Sequence, residues 1–282
     1  MSVRFRALSI LFCAALASEL HAQENGDEAA VAAASGVPNA AGFQQSGWRN
    51  QWGLGVIANP ATVGSDNYNI TPVPYLDFRY FDDKGTKYFA NIPQGIGGYF
   101  YRSRDRESGR FFSAGMGIAP GFNVRDDSIP GLKDVGVAAE TRLYLELGNR
   151  RWTASATVAQ DVGSGHEGAY VDLSAAYRGR LEKLKGFYAV GPVVRFGDDT
   201  YKQSLFGISA EESAASGLSE FTADANFERV GLQGLLSLPL GDSKWRVTGI
   251  LRASQLTGDA ADSPLVNEKT QLFFLTAITR PF

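Results

Sequence analysis

The chain is nearly without cysteine. Its single cysteine, Cys13, lies near the amino terminus. Bulky Phe12 precedes it where a lipoprotein processing site needs a small residue, so lipidation is not expected. Without this segment the chain has no thiol, and disulfides are excluded. If the protein is exported, something else must hold it together, and a closed hydrogen-bonded barrel is one such arrangement.

The sequence also lacks an apolar run long enough to cross a membrane as a helix. The apolar stretch from Ala7 to Ala17 has about eleven residues, whereas a spanning helix needs about 20. Arg4 and Arg6 precede this stretch, and Ala22 ends a segment suited to cleavage. We therefore expect residues 1–22 to be a cleaved signal peptide. Residues 23–46 are rich in Ala, Gly and Gln without a sustained period, which predicts a flexible periplasmic leader.

There is no excess of positive charge. The chain has 27 Lys and Arg against 30 Asp and Glu, and removing residues 1–22 changes the net charge from −3 to −4. A nucleic-acid partner would require a basic face, so none is expected. The mean hydropathy of −0.15 is typical of a soluble protein. It is equally compatible with a membrane barrel, because half of each strand faces a polar lumen.

The chain does contain a hydrophobic period of two from Trp48 onward. In residues 135–147, the apolar side chains from Val135 to Leu147 share one face, while Glu140, Arg142 and Glu146 share the other. A helix cannot separate these two sets. An Arg on the lipid side at mid-bilayer costs about 2–4 kcal/mol, so the charged face is expected to line the lumen.

These patterns predict an all-β fold over residues 47–282, a transmembrane antiparallel up-and-down β-barrel of about 12 strands. The connections after even strands are short and most of those after odd strands are longer, as in outer-membrane barrels with both termini in the periplasm. Pro93-Gln94 is the weak point of this parity. The final apolar run ends on Phe282, which is typical of a last barrel strand. The candidate strands are 48–59, 69–81, 86–92, 95–103, 110–123, 134–147, 150–161, 167–180, 185–197, 225–240, 243–256 and 269–282.

Catalytic and metal signals are sparse. After residue 22 the only histidine is His166, which we interpret as an exposed loop residue rather than a catalytic base. The surrounding GSGHEG matches a dinucleotide-binding pattern, but a strand follows it where that site needs a helix. Asp198-Asp199 and Asp259 with Asp262 could bind a cation at the rim, although such acids are usually solvated. We therefore predict no catalytic, cofactor or metal site and no enzymatic activity.

The longest loop, 198–224, is expected to have structure of its own. Ser209 and Glu212 have the spacing of a capping box, and Gly217 is placed to end a short helix. Two interpretations remain open. In the functional one, the loop is a lid over the lumen mouth or a partner-docking surface; in the structural one, it merely packs on the rim.

Three segments resemble blocks of the MipA/OmpV family of outer-membrane proteins. They are ATVGSDNYNITPVPYLDFRY at 61–80, FGDDTYKQSLFGISAEESAASGL at 196–218 and LTGDAADSPLV at 256–266. The family commonly ends in an aromatic-Arg-Phe pattern, whereas this chain ends Arg280-Pro281-Phe282. Pro281 removes a ladder donor, which a strand tolerates at its end.

The resemblance implies a location in the outer membrane and a binding role. The branch that gives the family its name is described as a scaffold that binds a murein lytic transglycosylase and connects it to a penicillin-binding protein. Other members are described as adhesins or porin-like proteins. We expect a monomeric barrel in contact with lipid and most favour the scaffold, with a narrow channel or an adhesin as the alternative and an enzyme last.

Overall fold

The computed structural model describes residues 46–125 and 129–282, and within them it forms a closed antiparallel barrel. The predicted signal peptide and nearly all of the predicted leader lie outside these residues. Every strand pairs with its sequence neighbours, and β12 pairs with β1. The predicted fold class and strand number are confirmed. The strands are β1 Gly47–Pro60, β2 Tyr68–Asp82, β3 Gly85–Asn91, β4 Gly95–Arg104, β5 Phe111–Gly121, β6 Ala138–Gly148, β7 Trp152–Asp161, β8 Ala169–Leu181, β9 Gly186–Gly197, β10 Asn226–Pro239, β11 Arg246–Leu256 and β12 Thr270–Pro281.

The barrel closes through the end of the chain. The β1–β12 ladder runs from Gln51 opposite Pro281 to Ala58 opposite Phe274. The Phe282 amide then donates to the Asn50 carbonyl at 3.2 Å, so the pairing continues past the proline that lacks a donor. Each of the twelve described strands therefore has a neighbouring strand on both sides, as a membrane requires because an unpaired backbone group is costly in lipid.

The predicted division between lipid and lumen is confirmed within the strands. On β6, Glu140 and Glu146 are buried in the lumen, whereas Leu143 and Leu147 face outward. The prediction for Val135 is wrong, because β6 begins at Ala138 rather than at residue 134. An isolated bridge to Arg125 extends the strand-like pattern into the preceding loop, and Val135 is buried there.

An aromatic belt surrounds the barrel at one end. All four tryptophans lie near the short connections and take part in edge-to-face contacts at 4.9–5.5 Å, in the pairs Trp48–Tyr80, Trp52–Trp245 and Trp152–Tyr177. Trp48 and Trp152 are more than half exposed on the outer surface. Amphipathic aromatic rings of this kind mark the boundary between the apolar band of a barrel and water.

The short link between β3 and β4 turns inward. The Arg79 Nη2 atom donates to Gln94 Oε1 at 2.6 Å, and the Tyr144 hydroxyl donates to the Gln94 carbonyl at 2.6 Å. Asp77 pairs with Arg79 at 3.0 Å, and both residues are 1 % exposed. Gln94 of this link thus points into the lumen, and the link joins two separate strands, so the strand parity holds at its weak point.

The two ends of the barrel differ in build. The turn end, defined by residues 83–84, 105–110, 149–151, 182–185 and 240–245, has only tight connections and a 3₁₀ turn at Glu182–Leu184. The loop end carries three short helices: α1 Asp199–Phe206, α2 Ala210–Ser216 and α3 Gly258–Asp262. None of the described helices has the length and hydropathy needed to cross a bilayer.

The loop parity predicts that the loop end faces the cell exterior. In a Cys13→Ser background, a single cysteine at exposed Glu220 should react with a membrane-impermeant thiol reagent on intact cells. A cysteine at exposed Arg151 should react only after the outer membrane is permeabilised. Labelling at position 151 but not at 220 on intact cells would reverse the orientation.

Candidate functional sites at the two ends of the barrel

The loop end is closed by a cap, defined here as residues 198–225 with helices α1 and α2. Tyr201 and Phe206 on α1 are 0 % exposed. They pack in one cluster with side chains from several sides of the barrel mouth. These include Val135, Ala159, Tyr170, Leu256 and Ala260, with Val63 and Val266 packed against them. Of the two interpretations of loop 198–224, the structure favours a segment folded across the mouth, because a loop packed on one side of the rim would not contact all of these connections.

Both cap helices are fixed at their amino ends by side chains. Asp198 accepts the Tyr201 amide of α1 at 2.8 Å and the Ala169 amide of β8 at 2.9 Å. The predicted capping box of α2 is confirmed, with Ser209 and Glu212 bonded reciprocally. Gly217 ends α2 with φ +78°, a left-handed conformation that favours glycine. Sequence reasoning missed α1, although Asp198 was available as its N-cap signal.

A buried arginine ties the cap to the loop between β5 and β6. Arg125 donates to Glu212 at 2.5 Å, to the Gly207 carbonyl at 2.9 Å and to the Lys133 carbonyl at 2.9 Å. Burial disfavours the charged form of Glu212. Hydrogen bonds from the Ser209 and Lys133 amides, together with the charge of Arg125, nevertheless hold the pKa of this carboxyl at about 2. Arg125 and Glu212 form the latch of the cap.

His166 is not the exposed loop residue that the sequence suggested. It is 0 % exposed, and its Nε2 atom lies 3.2 Å from Glu140 Oε1. Its Nδ1 atom accepts the Gly168 amide at 3.2 Å, which leaves Nε2 as the nitrogen that donates to Glu140. The ring stacks edge to face on Tyr201 at 4.8 Å, beneath the cap. No local pattern indicates this burial, because the partner Glu140 lies on another strand.

Glu140 connects the lumen wall to the loops at the mouth of the barrel. Besides His166, its carboxylate accepts the Tyr170 hydroxyl at 2.9 Å and pairs with Arg142 at 2.7 Å. Arg142 also donates to the Pro93 carbonyl at 2.9 Å. A charge in the lumen is tolerated only when paired and hydrogen-bonded, and Glu140 meets this condition. The arrangement therefore holds the loops in position over the lumen.

A second ion pair lies directly under the cap. Arg195 contacts Asp172 through two parallel hydrogen bonds of 2.6 Å, and it also donates to the Tyr201 hydroxyl at 3.0 Å. Its guanidinium lies 4.0 Å from the centroid of the Tyr170 ring. Because this bidentate pair is also bonded to α1, the floor of the cap and the wall of the lumen form one network.

The acidic residues considered for cation binding have structural partners. Asp199 accepts the Ala225 amide at 2.5 Å. Asp259 accepts both the Asp224 amide at 2.9 Å and the Asn226 side chain at 2.7 Å, while Asp262 lies 3.4 Å from Lys269. In residues 46–125 and 129–282, no three His, Cys, Asp or Glu side chains are grouped to hold a metal ion.

Exposed charge is distributed unequally between the two ends. Among the described turn-end residues, eight exposed cations outnumber five exposed acids. Among the described loop-end residues, nine exposed acids face two exposed lysines. The turn-end cations are Lys84, Arg106, Arg110, Arg150, Arg151, Lys183, Lys185 and Lys244. The loop-end acids are Asp66, Asp134, Glu167, Asp199, Glu211, Glu220, Asp224, Asp262 and Glu268.

Comparison with known proteins confirms the family resemblance. Residues 52–282 match the family described as MltA-interacting protein MipA. Two curated relatives, both named "Putative outer membrane protein YiaT", come from Escherichia coli strain K12 and Escherichia coli O157:H7. Each is 29 % identical over 140 residues, which cover 48 % of this chain and 53 % of the relative. The chain thus spans about half the length of the curated relatives it matches.

The latch predicts an acid-sensitive cap. Glu212→Gln removes the charge facing Arg125 and should destabilise the cap by about 1–3 kcal/mol, measured as faster amide exchange in residues 199–217. In the unchanged protein the pKa of Glu212 is depressed. Its stabilising contribution is therefore complete above about pH 4.5 and declines as the pH falls towards about 2.

The matched control is Glu211→Gln, an exposed neighbour on the same helix, which should leave the exchange unchanged. Exchange rates need correction for the intrinsic effect of pH. Equal protection in the Glu212 variant and the unchanged protein would rule out the latch.

Proposed function

Since the chain belongs to the MipA family of outer-membrane barrel proteins, we propose that it is a monomeric scaffold that binds a murein-remodelling enzyme at its turn end. The partner class suggested by the family name is a murein lytic transglycosylase. A penicillin-binding protein is the second proposed partner, joined to the first through the scaffold. This proposal assigns the barrel a binding role and not a catalytic one.

The observation that carries the proposal is the closed lumen. The cap covers the mouth with fully buried aromatic side chains, and the Arg195–Asp172 and Arg142–Glu140 pairs occupy the lumen beneath it. Side chains just fill barrels of about eight strands, and porins of about 16–18 strands keep an aqueous channel, so closure of this twelve-stranded barrel depends on the side chains that cross its lumen. A filled lumen disfavours free diffusion, which leaves the two ends of the barrel as the working surfaces.

The turn end is the better candidate for a murein partner. Murein lies on the periplasmic side, and the short connections of outer-membrane barrels face that side. Several turn-end acids already have partners within the turns: Asp242 lies 3.5 Å from Lys185, and Asp105 accepts the Ser108 hydroxyl. The excess of exposed cations supports an electrostatic contribution to docking with an acidic face of the partner.

The remaining alternatives use other parts of the barrel. A surface adhesin would use the acidic loop end, and a channel would require the cap to open. An enzyme would require a reactive group in an accessible site, but His166 is fully buried and hydrogen-bonded on both nitrogens. These observations support the scaffold over the alternatives.

The filled lumen predicts that the purified barrel does not conduct. In a planar lipid bilayer the unchanged protein should give no steady single-channel current. A useful comparison is a variant in which residues 199–225 are replaced by a short Gly-Ser link and Arg195 and Asp172 are both changed to Ala. It should conduct, because both the cap and the pair beneath it are removed. Steady ohmic current from the unchanged protein would favour the channel.

The basic turn end predicts a salt-dependent interaction. Changing Arg110, Arg151, Lys183 and Lys244 together to Gln should weaken retention of a purified murein lytic transglycosylase from the same organism by about tenfold. The loss should be larger at low salt, where exposed charges are least screened. Retention on the immobilised, detergent-solubilised barrel is the measurement.

The matched control changes the exposed loop-end lysines, Lys133 and Lys269, to Gln and should retain the enzyme fully. If the loop-end control loses binding while the turn-end variant keeps it, the docking surface lies at the opposite end and the scaffold proposal fails.

A further inference from the structure

A small pocket opens at the turn end between strands β3, β4, β5 and β6. Its volume is about 260 Å³, part of which is open to solvent, and its enclosed part admits about one water-sized group. Six of its eight lining residues have polar side chains, and it lies at the opposite end of the barrel from the cap and its latch. The polar lining residues are Lys84, Thr86, Tyr99, Arg104, Ser113 and Glu146.

Glu146 supplies a buried acceptor to this pocket. Its side chain is 2 % exposed, and its Oε1 atom accepts the Tyr99 hydroxyl at 2.8 Å. Its Oε2 atom is buried and has no hydrogen-bond partner among the described residues, and the same is true of Thr86 Oγ1. Buried polar atoms in a folded protein nearly always have partners, so two such atoms lining one pocket indicate a place for a hydrogen-bonding ligand.

The charges of the lining define what that ligand must carry. Glu146 lies at the buried end, whereas exposed Lys84 and half-buried Arg104 lie towards the opening. A simple cation would be attracted by Glu146 but repelled by Lys84 and Arg104. A simple anion would be attracted by Lys84 and Arg104 but repelled by Glu146. A ligand with an ammonium group and a carboxylate close together matches both ends.

We propose that this pocket binds an α-amino-acid group, with its ammonium against Glu146 and its carboxylate towards Lys84 and Arg104. A primary ammonium carries three donors, and the pocket offers acceptors at Glu146 Oε2, Thr86 Oγ1 and the Ser113 hydroxyl. The ammonium group is about the size of the enclosed space. The pocket lies at the same turn end as the proposed enzyme-docking surface and shares Lys84 with it, but ligand binding there does not require an enzyme to dock.

The test uses ligand-observed saturation-transfer NMR on the detergent-solubilised barrel. Glycine should bind, while ethylamine and acetate, which each lack one charged group, should bind at least about tenfold more weakly. A second ligand, Nε-acetyl-lysine, carries the same α-amino-acid group on a longer chain and so distinguishes two sources of the bound group. Binding of both ligands indicates an amino-acid group at the end of a larger chain, and binding of glycine alone indicates a free small amino acid.

Glu146→Gln should weaken glycine binding by about tenfold or more: with its oxygen still accepting the Tyr99 hydroxyl, the amide group would present N–H donors to the ammonium in place of an acceptor. Glu107→Gln, an exposed turn-end change, should leave binding intact. Migration of the unheated protein in electrophoresis checks that each barrel has folded. If Glu146→Gln does not fold, the test uses Thr86→Val, which removes the other buried acceptor of the pocket. The same loss of glycine affinity is expected.

The proposal is overturned if glycine gives no saturation transfer, or if ethylamine or acetate binds as well as glycine. Unchanged glycine affinity in the folded Glu146 variant, or in the folded Thr86 variant that replaces it, would overturn it equally. A pocket that holds only water would give the first of these results.

Discussion

The closed backbone ladder between β1 and β12 is the constraint on which the rest of the molecule depends. Lipid offers no partners to backbone amides and carbonyls, so the sheet must pair its last strand with its first. The chain achieves this although its penultimate residue is a proline, because Phe282 donates to Asn50 beyond it. Once the ladder is closed, every second side chain faces an interior of fixed and small cross-section.

That interior explains the distribution of charge within the barrel. Charged residues cannot face lipid without a large cost, so they occupy the lumen, where each requires a partner. Glu140 contacts Arg142, Tyr170 and His166, and Arg195 contacts Asp172 and Tyr201. Because Tyr201 belongs to the cap, the lumen pairs and the cap stabilise one another. The closed mouth is thus linked to the way in which the charged side chains of the lumen find their hydrogen-bond partners.

Local patterns were sufficient to predict the twelve strands, the inward face of Glu140 and Glu146, and the capping box at Ser209. Each depends on a period or spacing within a few residues. The burial of His166 and the hydrogen bond between Asp198 and the Ala169 amide could not be predicted, because Glu140 and Ala169 come from other strands. The alternating pattern that precedes β6 led to a wrong prediction for Val135 for a related reason. An isolated bridge continues the strand period there without continuing the barrel wall. Family membership was predictable from contiguous blocks of sequence, whereas the pocket beside Glu146 combines four strands and had no sequence signal.

The short third strand has a consequence for the surrounding bilayer. Seven residues of β3 extend about 23 Å along the strand, and a tilt of about 40° reduces their height to about 18 Å. The apolar band of an outer-membrane barrel is about 25 Å tall, and β2, which pairs with β3, has 15 residues. Lipid beside β3 must therefore thin, or the whole barrel must lean towards that side, to avoid exposing apolar surface. Hydrophobic mismatch thus gives this barrel one side beside which the bilayer is thinner. A neighbouring membrane protein therefore meets different surroundings at different sides of the barrel.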